Sequence, residues 1–209
     1  MIVTISRMFG SGGSDVAARV ARQLGWTLLD NAVVDAVAER MGLSSSEVSK
    51  IEERVPSLVE RIATALRMST PEYVVPVSEA ALVETTEERV VEMTKRVISE
   101  AVQQGNAVLV GRGAQCMLAD RPDALHVFCY APMPMLVAYA IAHRGVDPAN
   151  AEHDVIQRNK QREQYVKRHW GRDWKSFGNY HLCLDTARLG LENAADLVVY
   201  AARERFRLS

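Results

Sequence analysis

The stretch IVTISRMFGSGGSD, residues 2–15, decides the fold of this chain. Residues 2–6 are mostly β-branched, which predicts a short buried strand. Three glycines follow at once, and Ser14-Asp15 then begins a helical pattern of apolar residues. A glycine-rich turn between a strand and a helix binds anions, because the backbone approaches a phosphate closely and the first helical amides point at it. The sequence therefore predicts a phosphate site at residues 10–14.

This loop departs from the phosphate-binding pattern G-x-x-x-x-G-K-[ST] at two positions. Arg7 stands at the first glycine, and Gly13 stands at the lysine. We expect Arg7 to fold over the turn and to supply the missing positive charge. The alternative is a helix capped by Ser14 after a flexible turn, without a bound phosphate.

Composition narrows the classes of protein to consider. A chain of 209 residues with 48% hydrophobic residues suggests one α/β domain with insertions. The formal net charge of −1 argues against a general nucleic-acid or membrane-surface binder. The apolar residues 124–142 are interrupted by His126 and two prolines, so we expect a strand and a helix there rather than a membrane span. We expect reduced thiols and a cytoplasmic protein, because no C-x-x-C pair joins the cysteines, Cys116, Cys129 and Cys183.

Further strands alternate with helices along the chain. Residues 26–29 predict a second strand that ends at Asp30, and residues 107–110 and 124–130 predict two more. Open α/β sheets bind ligands at the carboxyl ends of their strands, so Asp30 is a candidate ligand contact. It is equally well explained as the N-cap of the next helix.

The remaining elements are less clear from the sequence. The capping-box spacing of Thr85 and Glu88 predicts a helix over residues 85–104. Residues 180–185 and 197–200 have strand character and flank a short helical stretch, so one or both are expected to complete the sheet.

The tripeptide Gly111-Arg112-Gly113 follows the third predicted strand directly. A buried strand that ends there delivers the guanidinium to the ligand edge of the sheet. A planar guanidinium suits bidentate phosphate binding, which makes Arg112 a candidate anion contact. The alternative is a surface salt bridge.

Residues 157–175 combine basic and aromatic side chains with only two acids, Glu163 and Asp173. The spacing of Arg158, Arg162 and Tyr165 places them on one helix face. Such a segment forms a lid that closes on phosphates and excludes water, or it binds single-stranded nucleic acid, or it is a solvated surface. The phosphate loop favours the lid.

These motifs resemble the cytidylate kinase-like family, whose relatives are the nucleoside monophosphate kinases of the P-loop fold, at residues 5–7, 10–13, 110–114 and 180–191. The resemblance implies an α/β protein of the P-loop NTPase type, with a doubly wound parallel sheet, a helical insertion and a basic lid. The chain is then a single domain over residues 1–209. Residues 44–84 are the helical insertion on the acceptor side, and residues 145–179 are the lid.

The resemblance also implies a role for each candidate residue. The donor phosphates of ATP are held by Gly10, Ser11, Gly12, Gly13 and Ser14, and Ser14 also ligates Mg²⁺. Asp30 and Arg112 lie on the acceptor side, and Arg158 and Arg162 are lid arginines. Arg7, which we expect to replace the loop lysine, joins these two lid arginines as a catalytic cation. True cytidylate kinases carry the loop lysine and an aspartate after the Gly-Arg step, where this chain has Gly13 and Gly113.

The leading hypothesis is a magnesium-dependent phosphotransferase that moves the γ-phosphoryl group of ATP to a nucleoside monophosphate or a similar small acceptor. The alternative is a nucleotide-binding sensor without turnover, because Gly13 replaces the lysine. A third hypothesis, nucleic-acid binding by residues 157–175, is less favoured, and we expect neither a nucleic-acid nor a membrane partner. The oligomeric state is not indicated.

Overall fold

A parallel five-stranded sheet forms the centre of the molecule. The computed structural model describes residues 1–52 and 79–208. The strands lie in the order β2-β3-β1-β4-β5, and each neighbouring pair is parallel. They are β1 (Ile2–Arg7), β2 (Thr27–Leu29), β3 (Ala107–Val110), β4 (Ala124–Tyr130) and β5 (Leu182–Asp185). The strand order reverses beside β1, which creates the crevice where doubly wound sheets bind ligands.

Helices cover both faces of the sheet. They are α1 (Gly13–Leu24), α2 (Asn31–Met41), α3 (Ser45–Glu52), α4 (Glu79–Gln103), α5 (Ala114–Met117), α6 (Met133–Arg144), α7 (Ala151–Trp170), α8 (Thr186–Leu189) and α9 (Leu191–Phe206), with a 3₁₀ turn at Phe177–Asn179. One face packs against α1 and α9, and the other packs against α2 and α4. The predicted fold class, a doubly wound parallel sheet flanked by helices, is confirmed.

The alternation of side chains along β1 explains the two cores. Val3 and Ile5 belong to the core under α1 and α9, whereas Ile2 belongs to the core under α2 and α4, and all three are fully buried. Successive side chains of a strand point to opposite faces, so a central strand covered on both sides reads as a continuous apolar run.

Two predictions made from local sequence patterns are confirmed only in part. Residues 197–200 lie inside α9 and not in a strand, so among the described residues β5 alone completes that edge of the sheet. The helix predicted over residues 85–104 begins earlier, at Glu79, and Thr85 is therefore not its N-cap. Of the predicted insertion at residues 44–84, residues 53–78 lie outside the described part of the chain.

The apolar residues 124–142 divide into β4 and α6, as the sequence predicted. Within residues 1–52 and 79–208, no helix is long and apolar enough to cross a membrane.

Candidate active site

The glycine-rich loop connects β1 to α1 through two residues in the left-handed region. Gly10 has φ = 86° and Gly12 has φ = 69°. A Cβ atom at Gly10 would overlap the carbonyl oxygen of Leu136, so this residue lies directly against the backbone of α6. Both conformations are accessible to glycine and costly for other residues.

The first amides of α1 are available to an anion. Gly12 is the N-cap of α1, and no side chain caps it, which contradicts the alternative of a cap at Ser14. The amides of Gly12, Gly13 and Ser14 donate to no other described residue. By contrast, the amide of Ser11 donates to the carbonyl of Met8 at 3.2 Å. Ser11 therefore turns its amide into the loop.

These groups fit a nucleotide phosphate with its magnesium ion. Free amides at a helix N-terminus suit phosphate oxygens. The half-buried Ser14 hydroxyl makes no hydrogen bond to another described residue and is available as a cation ligand. Mg²⁺ is commonly held by one or two protein groups together with substrate phosphates. The described residues contain no cluster of three His, Cys, Asp or Glu side chains that could hold a metal by itself.

Arg7 occupies the space that a side chain at Gly13 would need. A Cβ atom at Gly13 would overlap Cβ of Arg7 and would lie 3.0 Å from Cβ of Cys129. The guanidinium extends away from the loop, with Nη2 3.6 Å from Asp30 Oδ1 and Nη1 where a Cβ atom of Gly111 would lie. The expectation that Arg7 folds back over the turn is therefore wrong. Arg7 connects the loop to the ends of β2 and β3.

Burial lowers the pKa of Arg7, the carboxylate of Asp30 raises it, and the nearby Arg112 lowers it again. An arginine stays protonated at neutral pH despite such changes, so the site carries a half-buried positive charge. Asp30 stands at the N-cap position of α2, but its side chain accepts no capping bond. Its contact with Arg7 favours the ligand-edge interpretation over the capping one.

The Gly-Arg-Gly turn presents Arg112 in an uncommon backbone conformation. Gly111, Arg112 and Gly113 have φ angles of 72°, 54° and 67°. The amide of Ala114 donates to the carbonyl of Gly111 at 3.1 Å and closes a turn whose two central residues have positive φ. Arg112 is half-buried and lines the same cavity as Arg7.

Helix α7 is docked on the phosphate loop. Arg162 Nη1 donates to the carbonyl of Arg7 at 2.7 Å. Asn159, which is 5% exposed, accepts the amide of Phe9 through Oδ1 at 2.7 Å. The guanidinium carbons of Arg158 and Arg162 lie 4.7 Å and 5.7 Å from the centre of the Phe9 ring. The predicted lid helix is thus in contact with the loop.

A cavity of about 210 Å³ opens between these elements. Five predicted site residues line it, namely Arg7, Asp30, Arg112, Arg158 and Arg162. Tyr165 and Trp174 contribute aromatic surface, and Ser6 and Gln115 line it as a buried pair in which the serine hydroxyl donates to the glutamine at 3.0 Å. Four guanidinium groups against one carboxylate give this cavity a positively charged lining.

The sequence matches the profile of the cytidylate kinase-like family over residues 2–188. The chain belongs to this family. It is 24% identical to a cytidylate kinase of Aeropyrum pernix over 94% of this chain and 95% of that protein. Among solved structures, it is similar to an uncharacterized protein of Eubacterium ventriosum (TM-score 0.69, 18% identity, 97% of this chain and 98% of that one). It is also similar to shikimate kinase of Bacteroides thetaiotaomicron (TM-score 0.52, 13% identity, 100% and 99%).

This cytidylate kinase-like chain departs from true cytidylate kinases at Gly13 and Gly113. At each glycine, a side chain from elsewhere in the protein occupies the space that a Cβ atom would need. Arg7 lies where a side chain at Gly13 would begin, and Trp170 lies where one at Gly113 would begin. Restoring a lysine or an aspartate at these positions therefore requires a second change.

Sequence reasoning missed a polar cluster at the start of α1. The carboxylate of Asp15 accepts hydrogen bonds from the hydroxyl of Tyr139 and, at 2.7 Å, from Arg144 Nη2. Burial, followed by the hydrogen bond to Asp15, raises the pKa of Tyr139 to about 12. The tyrosine ring is also near the position of a Cβ atom at Gly12. The acid in the first turn of α1 was a visible signal, but its partners on α6 were not.

Proposed function

We propose that this protein is a magnesium-dependent phosphotransferase that moves the γ-phosphoryl group of ATP to a nucleoside monophosphate or a similar small acceptor. The observation that carries the proposal is a helix N-terminus with free amides beside a cavity lined by four arginines. Phosphoryl transfer requires a donor site, an acceptor site and positive charge between them, with little covalent chemistry from the protein. Kinase relatives and a P-loop kinase fold support the same activity.

On the donor side, the amides of residues 12–14 hold the phosphates, and the Ser14 hydroxyl ligates Mg²⁺. The ion, when bound, bridges phosphate oxygens and neutralises the charge that develops during transfer. In the absence of a loop lysine, Arg7 supplies a positive charge next to the loop rather than over it. Its stem contacts Gly13 at the loop and its guanidinium lines the cavity, so its charge lies at the boundary between donor and acceptor sites.

On the acceptor side, Arg112 binds the phosphate of the acceptor with two N–H groups, a geometry that a point charge cannot reproduce. Arg158 and Arg162 extend from α7 toward the transferred group, and their contacts with Phe9 hold them next to the loop. Asp30 fixes the guanidinium of Arg7.

A phosphotransfer screen tests the proposal. ATP and GTP are each offered with Mg²⁺ against a panel of nucleoside monophosphates and small phosphorylated acceptors, and nucleoside diphosphate formation is measured. We expect product from at least one acceptor, and no product after chelation of Mg²⁺. Absence of product with every acceptor would refute the kinase proposal.

A sensor without turnover is the second candidate, and one observation favours it. Gly13 has no side chain, and the stem of Arg7 fills the space where one would lie. Because the Arg7 guanidinium turns toward Asp30, the loop carries no cation in the position of the usual lysine. Calorimetric binding of magnesium nucleotide without transfer to any acceptor would support the sensor.

A further inference from the structure

Arg112 has a backbone conformation that is uncommon for a residue with a side chain. Its φ of 54° places it in the left-handed region, between two glycines that share this conformation. For a residue with a side chain, the left-handed region costs roughly 1–2 kcal/mol. Such strain persists where neighbouring structure over-determines the backbone.

The turn is enclosed on both sides by large side chains. On the side of Gly111, Nη1 of Arg7 lies where a Cβ atom would be. On the side of Gly113, the Trp170 ring takes that space, with Cη2 2.5 Å and Cε3 2.8 Å from the position of a Cβ atom. Each glycine next to Arg112 is therefore in close contact with a side chain from another element.

Trp170 is well placed to hold this turn still. It is the last residue of α7, the helix that also carries Arg158 and Arg162. Its ring centre lies 5.5 Å from that of Tyr165 and 5.9 Å from that of His169. Because Tyr165 lines the cavity, the tryptophan is supported from the side of the proposed acceptor.

We infer that Trp170 is a positioning residue: by packing on Gly113 it keeps Arg112 in its left-handed conformation and aims the guanidinium into the acceptor cavity. This inference rests on the proposed role of Arg112 in acceptor binding. It also assigns a function to the glycine at position 113, which leaves room for the indole ring. The contact between Trp170 and Gly113 then connects helix α7 to Arg112.

A comparison of Arg112→Gly with Arg112→Ala tests the inference without any substrate. Both variants delete the guanidinium, so their difference reports the backbone conformation at this position. Glycine avoids the left-handed penalty but loses more entropy on folding. We expect the unfolding equilibrium constant of Arg112→Gly to be about fivefold smaller than that of Arg112→Ala. In a Trp170→Leu background the turn can relax and only the entropy cost of glycine remains, so the ratio of the Arg112→Ala constant to the Arg112→Gly constant should fall to one or below. In a Trp170→Phe background, which keeps an aromatic ring, it should be retained.

The catalytic readout uses the acceptor found in the screen. Trp170→Leu should raise the KM for the acceptor by about tenfold and leave the KM for ATP unchanged, and Trp170→Phe should recover most of the loss. A merely structural role would change both constants together. Equal Gly-to-Ala ratios in the wild-type and Trp170→Leu backgrounds would overturn the inference. If the ratio collapses as expected but no acceptor is phosphorylated, the proposed function fails and the contact of Trp170 with the turn stands.

Discussion

The position of Arg7 can be tested by placing a single methyl group at Gly13. Gly13 is the first residue of α1 and does not have a positive φ. Alanine would therefore be favoured there by about 0.5–1 kcal/mol if space allowed. Instead, its Cβ atom would overlap Cβ of Arg7 and approach Cβ of Cys129 to 3.0 Å. Overpacking of this kind typically costs about 1–3 kcal/mol, so Gly13→Ala should reduce the free energy of unfolding.

Removing the stem of Arg7 should reverse the sign. In an Arg7→Gly background the overlap disappears, and Gly13→Ala should then be neutral or stabilising. The expected coupling energy between the two substitutions is about 1–3 kcal/mol. Urea unfolding of the wild type, the two single variants and the double variant measures it. For a chain of this length, 1 kcal/mol corresponds to a shift of about 2–4 °C in Tm.

Gly178→Ala is a matched control. Gly178 also does not have a positive φ, and the nearest atom to its Cβ position is Ser176 Oγ at 3.9 Å. This control should change the free energy of unfolding by no more than about 0.5 kcal/mol. Additive effects of Gly13→Ala and Arg7→Gly would refute the reasoning, because they would show that the two side chains do not compete for one space.

Three further outcomes are expected. Arg112→Lys should raise the acceptor KM at least about tenfold in the phosphotransfer assay with donor KM unchanged, because an ammonium cannot replace a bidentate guanidinium; normal acceptor kinetics would contradict its role. Asn159→Leu leaves the Phe9 amide without its acceptor and should weaken calorimetric binding of magnesium nucleotide by about 5–10-fold, whereas unchanged affinity would show that the docked helix does not shape the loop. Burial, followed by the neighbouring His181, lowers the pKa of His126 to about 4 in the folded protein. In the unfolded chain its pKa is near 6.5, so the unfolded state binds a proton at His126 more tightly than the folded state does. The free energy of unfolding should therefore decrease as pH falls from about 6.5 to 4, by on the order of 2–3 kcal/mol; a His126→Asn variant with the same pH dependence would contradict this assignment.

Local sequence patterns were sufficient for the fold because the decisive signals lie close together in the chain. The strand, the glycines and the helix at residues 2–24 predicted the central strand, the loop and α1, and all three occur. Residues 197–200 have strand character in the sequence but lie in α9. There, the buried residues Ala194, Ala195, Val198 and Val199 recur at helical spacing, and tertiary packing of that stripe overrides β propensity.

The site could be predicted only in part. The arginines at strand ends and on α7 were identified because their spacing and flanking glycines are visible in the sequence, and the structure brings them to one cavity. Three features of the site depend on residues far apart in the chain. They are the direction of Arg7, the packing of Trp170 on Gly113, and the hydrogen bond from the Phe9 amide to Asn159. No local pattern encodes such contacts, although an unexplained glycine at position 13 was an indirect sign that another side chain fills its space.

The placement of Arg7 between Gly13 and Gly111 also limits the mutational routes open to this chain. A lysine acquired first at position 13 would overlap the arginine stem, and a side chain acquired first at position 111 would overlap its guanidinium. Loss of the arginine first would leave a void and remove the partner of Asp30. A first step at position 13 or at Arg7 is expected to reduce the free energy of unfolding, which favours routes in which the substitutions occur together or on a stabilised background. The volume of the Arg7 side chain thus constrains which substitutions the phosphate loop tolerates first.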